Sequence, residues 1–181
     1  IILFTIIMGG DIMFEHWILP FKQLFSIAIF AALWHVAVFL LGTRCNEKMF
    51  DERKWRYQPF FWEQNGKWYQ RHLKIKSWKD RLPQRVPDGG FSKEHLDGAS
   101  VDYLNQFILE TCRGEWIHFS NALLSLDLLL FAPSPFKIPC AILILLIHLP
   151  YVAIQRYNRF RLIRCRNRVS RQTNAVQKAA V

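Results

Sequence analysis

Three stretches of this chain are nearly free of charge. Phe25–Gly42 has no formally charged residue, only His35; Ile117–Ala132 has one formal charge, Asp127, besides His118; Ile138–Ile154 has none, only His148. A chain that is 51% hydrophobic yet carries a net charge of +10 must keep its apolar and charged residues apart along its length. A hydrocarbon core about 30 Å thick needs about 20 helical residues, a length each stretch approaches once its flanks are counted. Ahead of them, Ile1–Met8 is apolar, but Asp11, Glu15 and His16 interrupt the run before Pro20. The expectation is a first helix to about Leu19, broken at Pro20. The fold class is then an all-α integral membrane protein with about four transmembrane helices, arranged as two hairpins with an interfacial region between them. A signal peptide fits the N-terminus less well, because it lacks a basic first region and a small-x-small cleavage site. Three spans with an interfacial first segment is the other arrangement compatible with the pattern.

Charge orients these spans. All Lys and Arg except Lys22 and Lys137 fall between Arg44 and Arg113 or after Gln155, and residues 156–181 hold seven Arg, one Lys and no acid. Basic excess marks the cytoplasmic side. The expectation is a multi-pass membrane protein with both termini in the cytoplasm, and with the "LPFK" and "APSPFK" turns outside. The divisions are 1–43, a first hairpin; 44–108, a cytoplasmic interfacial region; 109–160, a second hairpin; and 161–181, a basic tail. Arg164–Arg171 reads as an anchor to anionic lipid.

The interfacial region, "KWRYQPFFWEQNGKWYQRHLKIKSWKDRLPQRVPDGGF", interleaves cations with rings. It is too aromatic for a solvated linker and suits a headgroup layer. Single-stranded nucleic acid is recognised by a similar mixture, but the adjacent spans argue against it. "PQRVPDGG" reads as a turn-rich break, and "SKEHLDGASVDYLNQFILETCRGEW" as a helical return to the membrane.

A titratable cluster stands at that return. "ETCRGEWIH" enters the third span and "QRYNRFRL" leaves the fourth on the same side, so a hairpin makes their inner ends neighbours. Glu110, Arg113, Glu115 and His118 are expected to meet Arg156, Tyr157, Asn158 and Arg159 in one polar layer. Glu115 and His118 stand at i and i+3, the spacing at which a carboxylate can orient an imidazole acting as general base. Glu110 is a second carboxylate for that role. Arg156, Arg159 and Arg161 are candidates to clamp phosphates. Glu115–His118 is also an E-x-x-H spacing, but a di-iron site needs a second such pair, which the sequence lacks; no metal is expected. Cys112 beside Arg113 is a weaker nucleophile candidate. His35, Asp127 and His148 lie inside apolar stretches, where ionisable groups need a partner or a cavity; they read either as a polar track reaching down from the site or as a mutual structural lock, such as Asp127 with His148.

"SWKDRLP", "ETCRGEWIH" and "QRYNRFRL", in this order, resemble the glycosyl-4,4'-diaponeurosporenoate acyltransferase family, membrane enzymes of carotenoid synthesis, over about Lys74–Arg164. The resemblance implies transfer of a fatty acyl group to a sugar hydroxyl of a lipid-like glycoside. It also touches Lys76, Trp78, Lys79 and Asp80, which would position sugar or headgroup. The expected partners are membrane lipids, an acyl donor and a glycosylated lipid acceptor. No tightly bound cofactor is implied, and acyl-CoA is the expected co-substrate. An amphipathic donor suits a site at the inner ends of two helices, with His118 as base and His72 and His95 as second choices. The H-x-x-x-x-D pattern of glycerolipid acyltransferases is absent. Other classes are a different small membrane transferase or reductase, such as a methyltransferase, and a non-enzymatic adaptor binding anionic lipid.

Overall fold

A computed structural model describes residues 2–83, 100–132 and 136–179, with side chains described from Ile18 onward. Those residues are helical or irregular, with no strand among them. The long helices are α1 (Ile2–Arg44), α3 (Val101–Phe131) and α4 (Lys137–Ala179); α2 (Lys67–Leu73) is short. Five brief 3-10 turns between Glu47 and Arg81 surround α2. Ser100 starts α3, its hydroxyl accepting from the Tyr103 N–H at 3.1 Å, which satisfies one of the unpaired amides of the first turn.

Two of the helices are long and apolar enough to cross a membrane, α1 from Ile18 and α4. Each is 43 residues long, about 64 Å, twice the hydrocarbon thickness. Their apolar portions and the outer half of α3 leave large side chains uncovered: Phe25, Leu33 and Leu41 on α1, Leu126, Leu130 and Phe131 on α3, Leu143 and Leu146 on α4. Water would not tolerate so many bare side chains at one end of a chain, whereas lipid hydrocarbon does not distinguish them from its own tails. Inside this band Ile27, Leu124, Leu128, Ala141 and Ile144 pack together.

The expected turn at "LPFK" is not there: α1 runs through Pro20 without a break. A proline removes one N–H from the ladder and need not end a helix if the rest of the turn is held. One helix, Ile2–Arg44, stands where the first hairpin was expected, so the four crossings and the placing of both termini on one side are not confirmed. Pro150 lies inside α4 in the same way. The expected helical return is found from Val101 onward; residues 84–99, including His95 and "PQRVPDGG", lie outside the described residues, as do 133–135 of the "APSPFK" turn.

The basic tail is no loose appendage but the continuation of α4 to Ala179. Two arginines expected to anchor lipid instead hold protein. Arg164 donates to the Asn65 carbonyl at 2.7 Å, and Arg166 pairs with Glu52 at 2.8 Å and donates to Asn105 at 3.0 Å. Leu104, Phe107, Ile108 and Leu162 form the core beneath them. The interfacial region wraps α4 through a second core of Tyr69, Ile75, Ile154, Tyr157 and Phe160. Gly66 sets that wrap. Its φ is +87°, and an added Cβ would stand 3.0 Å from the Phe160 ring. Gly66→Ala should therefore lower stability by about 1–3 kcal/mol, read as a lower melting temperature in detergent.

Candidate functional site

Helix α3 carries Glu115 and His118 one turn apart, and α4 carries His148, Arg156 and Arg159, so the α3–α4 pair offers two polar levels. The lower one is a buried ion cluster. Arg156 uses all five of its donors. Nε and one Nη2 hydrogen reach Glu63 at 2.6 and 2.7 Å, Nη1 reaches Glu115 at 2.7 Å and the Arg56 carbonyl at 3.2 Å, and Nη2 also reaches the Gln58 carbonyl at 2.9 Å. Arg159, with no exposed surface, donates to the other oxygen of Glu115 and to Cys112 Sγ at 3.4 Å. Two cations and two anions are thus neutralised mutually, as groups withdrawn from water must be. The Phe60 ring lies under the Arg156 guanidinium at 4.5 Å, and Tyr57 under Arg159 at 5.3 Å.

Glu63 joins this cluster from the interfacial region, and nothing in the motifs singled it out. It also accepts from the Tyr69 hydroxyl and from the Phe60 N–H, the latter at 2.6 Å. Burial alone would push the Glu63 carboxyl up; Arg156, Tyr69 and the Phe60 amide outweigh it and hold the group below the ordinary carboxylate range. A carboxylate so held adds stability that is complete above the ordinary carboxylate range and is lost as pH falls through the depressed folded-state value. The melting temperature of the wild type should therefore drop on acidification below about pH 4, and Glu63→Gln should melt lower at neutral pH with a flatter acid limb. Melting followed by circular dichroism across pH 2–7 checks both. Burial pushes the Tyr57 phenol up to about 12.

These contacts change the expected roles. Arg156 and Arg159 are enclosed and engaged by protein acceptors, so the phosphate clamp expected of them is not what their geometry provides. Glu115 is bound by the two arginines and does not orient His118. Glu110 pairs with Arg113 on the same helix and accepts from Gln106 at 3.3 Å, apart from both. Arg113 also lies 3.9 Å from Glu47 and over the Phe50 ring. Burial pushes the Cys112 thiol up to about 11, against a nucleophilic role. Tyr157 is buried among the residues that seat α2, and Asn158 beside it is half-buried. The "SWKDRLP" segment folds back on α2: the Trp78 indole donates to the Leu73 carbonyl at 2.8 Å, the Lys76 N–H to Gln70 at 3.2 Å, and Lys79 pairs with Asp80.

The upper level is histidine. His148 Nε2 lies 2.7 Å from His35 Nε2, and His148 Nδ1 lies 3.2 Å from His118 Nδ1. His35 Nδ1 lies 2.6 Å from the Ala31 carbonyl. Tyr151 stacks on His118 with ring centres 4.5 Å apart and planes 7° from parallel. The expected Asp127–His148 lock is thus replaced by a row of three imidazoles from three helices. His148 offers opposite ring nitrogens to its neighbours, so the rings form a line rather than converging as ligands of one metal ion would. Gly42 lets α1 approach: a Cβ there would meet Ile117 at 2.6 Å. The row stands at the boundary between the apolar band and the ion cluster, one helical turn from Glu115 on α3 and about 12 Å above Arg156 along α4.

The model of the glycosyl-4,4'-diaponeurosporenoate acyltransferase family matches residues 46–168, which hold His118, His148 and the ion cluster. The chain belongs to the glycosyl-4,4'-diaponeurosporenoate acyltransferase family. Enzymes of that name from Staphylococcus aureus strains MRSA252 and USA300 are each 26% identical to it over 149 residues, covering 78% of this chain and 88% of theirs. No solved structure matches. The chain is accordingly an acyltransferase, and the site has to be read for that chemistry.

Proposed function

We propose that the chain moves a fatty acyl group from acyl-CoA to a sugar hydroxyl of a glycosylated lipid, a carotenoid glycoside being the acceptor its relatives' names suggest. The observation that carries this reading is the position of His118. It is an imidazole at the boundary between apolar band and polar layer, with no hydrogen-bond partner on Nε2 among the described residues. An acyl donor and a glycolipid each place their reactive atoms at such a boundary, between a hydrocarbon tail and a polar head.

In this reading His118 takes the proton of the sugar hydroxyl as its oxygen attacks the thioester carbonyl carbon. The new C–O bond forms, the C–S bond breaks, and the proton leaves with the thiolate of CoA. The ion cluster holds the interfacial region onto α3 and α4 and so fixes the depth of the site. Phosphates of the donor would then meet cations that remain exposed on the basic side, such as Arg161, Arg71 and Lys67, rather than Arg156 or Arg159. The Arg44–Arg113 side faces the cytoplasm, where acyl-CoA is found, and α1, α3 and α4 provide three crossings.

Purified protein in nanodiscs, given radiolabelled acyl-CoA and a glycosylated carotenoid, should yield a labelled ester of the glycoside together with free CoA. Absence of any acyl-CoA-dependent ester across glycolipid acceptors would contradict the proposal.

A further inference from the structure

We infer that His35 and His148 are positioning residues that fix the protonation pattern of His118 and leave its Nε2 as the basic atom. The inference rests on the acyl-transfer reading for its consequence, but its geometry stands apart from it.

The Ala31 carbonyl anchors one end of the row. A carbonyl oxygen cannot donate, so the 2.6 Å contact requires a hydrogen on His35 Nδ1. In the neutral ring His35 Nε2 is then a bare acceptor, and His148 Nε2–H must donate to it across 2.7 Å. That choice leaves His148 Nδ1 bare, so His118 Nδ1–H donates to it across 3.2 Å. Each bond dictates the next, and the sequence ends with a vacant lone pair on His118 Nε2. It is the one nitrogen of the row that can accept a further proton without breaking a hydrogen bond inside it.

The groups facing His118 from the neighbouring elements fit that role. From α4 come His148 and the Tyr151 ring; from α1, His35 acts through His148. Glu115 on its own helix is turned to Arg156 and Arg159. Among the described residues no carboxylate contacts the row, so an imidazolium formed on His118 would be supported by the row's aligned dipoles, ending at a backbone carbonyl, and by the face of Tyr151. The arrangement does for His118 what an aspartate does in a Ser-His-Asp triad, with neutral groups suited to a membrane interior.

Selectively 15N-labelled histidine in bilayer-reconstituted wild-type protein tests this without relying on any variant. Solid-state NMR should show His118 and His35 protonated at Nδ1 and His148 at Nε2. His118 protonated at Nε2 in the neutral state would overturn the inference. Turnover supplies a second arm. His148→Phe should reduce turnover about 10–100-fold, as loss of a tautomer-fixing partner typically does, while His148→Gln, which keeps a donor and an acceptor, should recover most of it. Equal turnover for the two variants at matched melting temperature would overturn the positioning role. Failure of the acyl-transfer reading shows differently: the tautomers stand as stated while the wild type forms no acyl-CoA-dependent ester.

Discussion

Replacing His118 with alanine should lower acyl-transfer turnover by about 10²–10⁴-fold, or about 3–5 kcal/mol of barrier, while the melting temperature changes little. A sugar hydroxyl is a poor nucleophile until its proton is removed, and near neutral pH an imidazole suits the task. Among the described histidines, His35 and His148 have both ring nitrogens engaged. His72 is exposed, with Nδ1 against the Trp68 carbonyl and its ring stacked on Trp68, in the interfacial region away from the row. His118 has a free nitrogen, a fixed ring and a place at the boundary of the apolar band. Turnover and melting temperature measured on the same preparation separate a base from a merely structural residue. Near-normal turnover in His118→Ala would move the search to His72 and His95; equal loss of turnover and stability would make His118 part of the scaffold.

The second large effect belongs to Arg156. Removing it leaves Glu63 and Glu115 buried with one remaining cation, so Arg156→Ala should cost about 3–5 kcal/mol of stability. The loss should appear as a lower melting temperature or poor insertion, before any effect on donor affinity. A double variant, Arg156→Met with Glu63→Met, should recover much of the loss, because it removes one charge of each sign and leaves Arg159 to pair with Glu115. If Arg156→Ala instead melted normally and raised the donor concentration needed for turnover, the guanidinium would be meeting phosphate and the cluster would open in the working enzyme.

The layered plan of the molecule was legible because charge segregation is a property of the chain itself. The apolar stretches, the polar layer where α3 and α4 meet and the three ordered motifs all follow from residues adjacent in sequence or brought together by one hairpin. Partner choice within the layer was not legible. The i,i+3 spacing of Glu115 and His118 says that two side chains leave one helix on a similar side, but not which neighbouring helix each will meet. Glu63 gave a faint signal, an acid between Trp62 and the Asn65–Gly66 turn, yet only packing of that turn against Phe160 brings it to Arg156. His35 and His148 were visible as ionisable residues in apolar runs, and their need for partners was correctly anticipated. Asp127 was the wrong partner: in the α3–α4 hairpin His118 lies beside His148, and Asp127 stands nine residues, about 14 Å, further along α3 toward the hairpin turn. Pro20 misled for a related reason: a proline reports a missing amide, and whether the helix survives depends on what surrounds it.

The most direct test of the account is the sidedness of ester formation in sealed proteoliposomes of known orientation, with a glycosylated lipid in the bilayer and acyl-CoA added outside. If the base works at the basic boundary beside the ion cluster, labelled ester should accumulate in vesicles that present the Arg44–Arg113 side outward, and His118→Ala should abolish most of that signal. Ester formed only by vesicles of the opposite orientation, or formed equally by wild type and His118→Ala, would contradict it.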